Sequence, residues 1–257
     1  MNTLKKVLIL GGSMTAAWKL VSEADYATFG IAPKVVVWHA QAWRFAENNA
    51  PFRIEDNVLH FDKVINQSRY FGKLGSPMPA NGASESIALD EISGVVFTQP
   101  TTERAFFHQL FQMGYYAYAP ALEETVPNKK PVSPGAIFEW WRSHQYYSDQ
   151  FLQILSHDHP DIPVFLPPVI LPRENQPNLS KNFSHAFWLF NETLKNELMK
   201  KYNVHSCLQP AQTFDKESLH TKDRFAEPAP DPHHYTPEFV KTVCQSPEFQ
   251  GFITKLR

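Results

Sequence analysis

The segment Leu4 to Leu10, with Val7-Leu8-Ile9-Leu10 at its heart, is an apolar run of strand length. Apolar residues at successive positions suit a parallel strand covered on both faces. Gly11-Gly12-Ser13 interrupts the run, and Thr15 to Val21 follows with helical composition. Pro33-Lys34 then introduces a second buried run, Val35-Val36-Val37-Trp38. This β-α-β order commits the chain to a parallel sheet, because parallel neighbours need a crossover connection.

The rest of the chain extends that pattern. Ile54 to Phe61 reads as a short hairpin, and Phe71 to Gly82 as a loop. A third strand is expected at Ile92 to Thr98, with a helix from Glu103 to Met113. Tyr115 to Pro134 is Pro-rich and reads as irregular, without a domain boundary. Ser133-Pro134 gives an N-cap and a first-turn proline for a helix running to about Ser156. A fourth strand, Pro163 to Leu171, should stop early at Pro167-Pro168. Phe183, Phe187, Phe190, Leu194 and Leu198 recur every three or four residues, as one face of a helix. Asn203 to Leu208 supplies a fifth strand, and Thr236-Pro237-Glu238 opens the last helix. Five buried strands alternating with helices predict one three-layer α/β domain over residues 1–257. In such sheets ligands gather at the carboxyl ends of strands. That rule directs attention to Ser13, Thr98-Gln99, Pro167-Pro168 and the segment after Leu208.

Composition removes several alternatives. The chain has 21 Pro against 10 Gly and contains no G-x-G-x-x-G or G-x-x-x-x-G-K-[ST], so simple nucleotide cradles are set aside. The net charge is −2 and basic residues occur only as scattered pairs, which argues against a nucleic-acid partner. No stretch approaches the ~18 apolar residues of a membrane span, and the N-terminal run is too short for a signal-peptide core. A cytoplasmic protein is therefore expected. Cys207 and Cys244 read as reduced, buried residues. His157-Asp158-His159-Pro160-Asp161 has Ile162 where a metallo-hydrolase pattern would continue with His, so no metal is expected. Trp140-Trp141, Tyr115-Tyr116 and Tyr146-Tyr147 read as core ahead of pocket wall. The sequons starting at Asn66, Asn178, Asn182 and Asn191 read as chance occurrences.

Two segments carry candidate chemistry. Ser13 stands directly after the first strand and before a helix, where a hydroxyl either caps that helix or acts as a nucleophile. A helix N-terminus there would favour developing negative charge. Asp231-Pro232-His233-His234-Tyr235 lies directly before the final helix. Asp231 and His234, three apart in a turn, can face the same way. The carboxylate could then hold the imidazole tautomer while its other nitrogen reaches the serine. The prolines at 228, 230, 232 and 237 stiffen the loop.

A serine ending strand one and a D-x-x-H before the C-terminal helix resemble the SGNH, or GDSL-like, hydrolase superfamily. Leu10-Gly11-Gly12-Ser13 stands where that family has Gly-Asp-Ser, with Gly12 replacing the Asp. Asp231-Pro232-His233-His234 matches its last block in spacing and context. The resemblance implies a flavodoxin-like, mainly parallel five-stranded sheet and a triad of Ser13, His234 and Asp231 acting on an ester. The D-x-x-H analogy is what selects His234 over His233. The family's Asn after strand three is missing, and Phe97-Thr98-Gln99-Pro100 stands there instead. The oxyanion candidates are accordingly the Ser13 backbone, Gly72, Gly75 and Gln99, with Asn66 or Asn81 as further amides. The implied substrate is a small carboxylic ester or an acetylated carbohydrate, with no cofactor. Transfer of an acyl group to a carbohydrate hydroxyl and ligand binding without turnover are the alternatives.

Overall fold

The computed structural model describes residues 4–37, 52–64, 83–98, 103–119, 125–144, 146–173, 180–227 and 234–257. Strand β1 (Lys5–Gly11) forms where the apolar run predicts it. Its side chains alternate between two cores: Val7 and Ile9 enter one, Leu8 and Leu10 the other, all without solvent exposure. Burial on both faces is why Val7 to Leu10 are apolar at successive positions instead of every second one, while Lys5 and Lys6 lie outside the buried stretch. Burying such a side chain fully contributes roughly 1.5–3 kcal/mol.

Two helices, α1 (Thr15–Lys19) and α2 (Glu23–Thr28), lead to β2 (Ile31–Val37). Helix α2 was not foreseen, although Ser22 caps it by accepting from the Asp25 N–H at 3.1 Å and its first turn is acidic. Strand β2 begins earlier than expected and contains Pro33, which lacks an N–H. It tolerates the loss because it is the edge strand of its sheet. Strands β3 (Phe52–Glu55) and β4 (Val58–Val64) form the expected hairpin, turning through Asp56 and Asn57 at φ 48° and 62°. Strand β5 (Ala83–Ala88) joins them as a third, antiparallel member.

Strand β6 (Gly94–Thr98) lies parallel to β1 on the side away from β2. Helix α3 (Glu103–Gln112) follows. The Pro-rich region read as irregular holds a short parallel pair, β7 (Tyr115–Ala117) and β8 (Lys130–Val132). The single helix expected from Ser133 to Ser156 is two, α4 (Pro134–His144) and α5 (Tyr146–Asp158). Arg142 joins them, pairing with Glu139 on its own helix and with Asp149 at 3.1 Å.

Strand β9 (Val164–Leu166) stops at the Pro167-Pro168 pair, as predicted. Helix α6 (Lys181–Tyr202) starts at the Ser180 cap and ends at Asn203, whose φ is 49°. Strand β10 (His205–Ser206) completes the main sheet, and β11 (Phe214–Asp215) and β12 (His220–Thr221) form a small antiparallel pair. The helix expected at Thr236-Pro237 is α7 (Pro237–Cys244). A further one, α8 (Pro247–Ile253), begins with the same device at Ser246-Pro247.

Among the described residues the main sheet has the order β10-β9-β6-β1-β2, with every pairing parallel. Residues of α1, α2, α7 and α8 build the core on one face, and those of α3 to α6 build the core on the other. This is the expected three-layer α/β/α arrangement. Strand order reverses between β1 and β6, so the chain leaves these neighbours in opposite directions. The crevice at their carboxyl ends is the topological switch point, where open α/β sheets bind ligands. No helix among the described residues is long and apolar enough to cross a membrane.

Candidate active site

The switch point is unusually tight. Gly11 ends β1 at φ 152°. A Cβ there would overlap the carbonyl oxygen and hydroxyl of Thr98 and lie 2.9 Å from Thr15 Oγ1. Only glycine allows β1 and β6 to approach this closely while the chain turns. Thr98 Oγ1 donates to the Leu10 carbonyl at 3.3 Å, which leaves Thr15 Oγ1 to donate to it at 2.6 Å. Both threonines have no exposure. The Thr98 hydroxyl, read as one of the strand-end candidates, is thus occupied in holding two strands and a helix together.

The next turn is fixed by Thr15 N–H to Gly12 O at 3.0 Å and Ala16 N–H to Ser13 O at 3.1 Å. Ser13 is half-buried on this turn. Its side chain does not cap the helix: the N-cap position is Met14, and no side-chain cap bond forms. Neither the hydroxyl nor the N–H of Ser13 hydrogen-bonds to another described residue. Helix α1 spans only five residues, so its dipole is small and the backbone N–H is the stronger electrostatic asset.

His234 lies at the other end of the chain, half-buried, on a two-stranded stem. Its carbonyl accepts from the Glu227 N–H at 2.9 Å, Ala226 bridges Tyr235, and Thr236 N–H reaches Phe225 O at 3.1 Å. The Tyr235 ring is buried and stacks on Phe239 with centroids 4.8 Å apart. Its hydroxyl accepts from Trp18 Nε1 at 2.8 Å across 217 residues of sequence. Trp18 belongs to α1, the helix that follows Ser13. Tyr26 in turn donates to the Trp18 carbonyl at 2.6 Å, and burial pushes the Tyr26 phenol far above its ordinary pKa. On the surface, Lys241 of α7 pairs with Asp25 of α2 at 2.8 Å, and this hydrogen bond holds the Asp25 carboxyl below the usual range. The structure therefore ties the residue after His234 to the helix that follows Ser13.

Asp231, His233, Gly72, Gly75, Gln99, Asn66 and Asn81 lie outside the described residues. Cys207 and Cys244 are free thiols and both buried. Burial pushes the Cys207 thiol up to about 12 and raises that of Cys244 as well. Of the aromatic pairs, Trp141 and Tyr116 are core, while Trp140 meets Phe106 edge-on at 5.9 Å. Among the described residues no group of three potential metal ligands converges.

Among solved structures, the chain is similar to a GDSL-like lipase from Bacteroides thetaiotaomicron VPI-5482. The two share 12% sequence identity with a TM-score of 0.44, covering 98% of this chain and 89% of the lipase. No protein-family model and no curated protein matches the chain.

Several supporting residues escape a reading by sequence. Lys195, 3% exposed on α6, donates to the Pro167 carbonyl at 2.9 Å and fixes the turn that ends β9. Gln209, 5% exposed, accepts from the Leu171 N–H at 2.6 Å just beyond that turn. The only local hint for Lys195 is its place beside the apolar stripe, one residue after Leu194. Trp18 and Tyr235 could be suspected because each is a large aromatic close in sequence to a candidate residue.

Proposed function

We propose that the chain is a single-domain serine hydrolase of the SGNH-like class, cleaving a small carboxylic ester or an O-acetyl group. The observation that carries this reading is the placement of Ser13. It sits two residues beyond β1 at the switch point, on a turn held by the Thr15–Thr98 lock, with its hydroxyl and N–H uncommitted to other described residues. The Trp18–Tyr235 bond adds support, since it ties the helix after Ser13 to the segment carrying His234.

In this reading Ser13 Oγ attacks the acyl carbon while His234 takes the hydroxyl proton. Asp231 orients the imidazole and stabilises its charged form. The Ser13 N–H stabilises the oxyanion, assisted by Gly72 or Gly75 and by Gln99. His234 then returns the proton to the departing alcohol, and water releases the acyl group by the same steps in reverse. Loss of a triad member costs on the order of 10³-fold or more in kcat. Ser13→Ala and His234→Ala should each lower p-nitrophenyl acetate turnover by that factor without altering the far-UV circular dichroism. Wild-type turnover in a folded Ser13→Ala protein would overturn the assignment.

A further inference from the structure

We infer that Arg173 is a positioning residue for His234, an inference that rests on the assignment of His234 as the base. The guanidinium spans two partners. Nη1 donates to the Glu227 carbonyl at 2.8 Å, and Nη2 pairs with Asp223 Oδ1 at 3.1 Å. Glu227 then donates its own N–H to the His234 carbonyl at 2.9 Å. A single residue, Glu227, is gripped by arginine through its carbonyl and grips His234 through its amide. The arginine side chain is mostly buried, at 13% exposure, so the charge-assisted bond to Glu227 is poorly screened.

The base from which Arg173 reaches is itself rigid. Its backbone bridges Thr221 in parallel. Thr221 donates its N–H to Pro172 O and its hydroxyl to Leu171 O, both at 2.7 Å. Gln209 accepts from the Leu171 N–H and donates to Thr213 and Thr221 hydroxyls at 3.0 and 3.1 Å. Gln209, Thr213 and Thr221 are all buried, and their mutual bonds hold residues 171–173 in one position. His234 is thereby held from two sides. Arg173 fixes it through Glu227 to the chain leaving β9, and Trp18 fixes it through Tyr235 to α1. A positioning error near 1 Å can lower turnover about 100-fold.

Arg173→Met and Arg173→Lys test the inference through two readouts, ester kinetics and amide hydrogen exchange across residues 225–236. Arg173→Met should lower kcat about 10- to 100-fold with KM within about twofold, and Arg173→Lys should restore part of the loss. The same Met variant should speed exchange at Glu227 while the β1 amides stay protected, which separates local loosening from unfolding. Unchanged exchange together with unchanged kcat would overturn the role. If the wild type shows no Ser13-dependent turnover, the base assignment fails and takes the positioning of a base with it. Faster exchange in Arg173→Met would then report only a structural clamp.

Discussion

Replacing Gly11 by alanine would drive a methyl group into the Thr98 carbonyl, an oxygen fixed by the β1–β6 pairing. The backbone cannot yield without separating two central strands, and φ 152° is itself strained for any residue with a Cβ. Gly11→Ala should therefore lower stability by ~1–3 kcal/mol or more, seen as a reduced thermal midpoint. Gly12, one residue on, has nothing within 4 Å of an added Cβ, and Gly12→Ala should cost far less. A Gly11→Ala protein as stable as Gly12→Ala would contradict this packing. Sequence reading could mark the Gly-Gly-Ser turn as special. It could not say which glycine was indispensable, because the obstacle belongs to a strand more than 80 residues away.

The Thr15–Thr98 lock is a property of elements, since it fastens the start of α1 to the ends of β1 and β6. Removing one hydroxyl leaves its buried partner short of a bond, a cost of ~1–3 kcal/mol. Thr15→Val and Thr98→Val should each destabilise, while the double variant should lose less than the sum, with a coupling of ~0.5–3 kcal/mol in a urea-unfolding cycle. Strict additivity would show that the pair is not a unit. The same scale explains what was legible. Strands β1, β6 and β9 are read easily, because two-sided burial writes continuous apolar runs bounded by Gly, Asp or Pro. Strands β7 and β8 span three residues each, and β5 reads Ala-Ser-Glu-Ser-Ile-Ala with one large apolar side chain, so no apolar run marks them. The break between α4 and α5 is marked weakly: Phe138, Trp141, Phe151, Leu152 and Leu155 all enter one core, and no Gly or Pro stands between Trp141 and Phe151, where only the polar His144, Gln145 and Ser148 interrupt the stripe. Tertiary packing decided these cases against local pattern.

At the scale of the molecule, Cys207 and Cys244 tie stability to alkaline pH. Both face the same core as α1 and α7, and burial raises each thiol above the ordinary 9.0, Cys207 to about 12. Below pH 9 the folded and unfolded chains both keep these protons and the contribution is complete. Between 9 and about 12 the folded state binds more protons than the unfolded one, so stability falls as pH rises. Urea midpoints should drop between pH 8 and 10.5 more steeply for the wild type than for a Cys207→Ala/Cys244→Ala variant; parallel slopes would contradict this. The meeting of the chain ends also belongs to this scale. In the sequence, Ser13 and the D-x-x-H segment are paired by the chemistry of their residue types and by family resemblance, whereas the Trp18–Tyr235 bond that joins their surroundings spans 217 residues and no local pattern states it. The central claim, that Ser13 is a nucleophile served by His234, is tested most directly by mass spectrometry after exposure to a fluorophosphonate. The tryptic peptide Val7–Lys19 should gain one phosphonyl group on Ser13 in the wild type and none in folded His234→Ala. An unmodified Ser13 in the folded wild type, or labelling indifferent to His234, would contradict it.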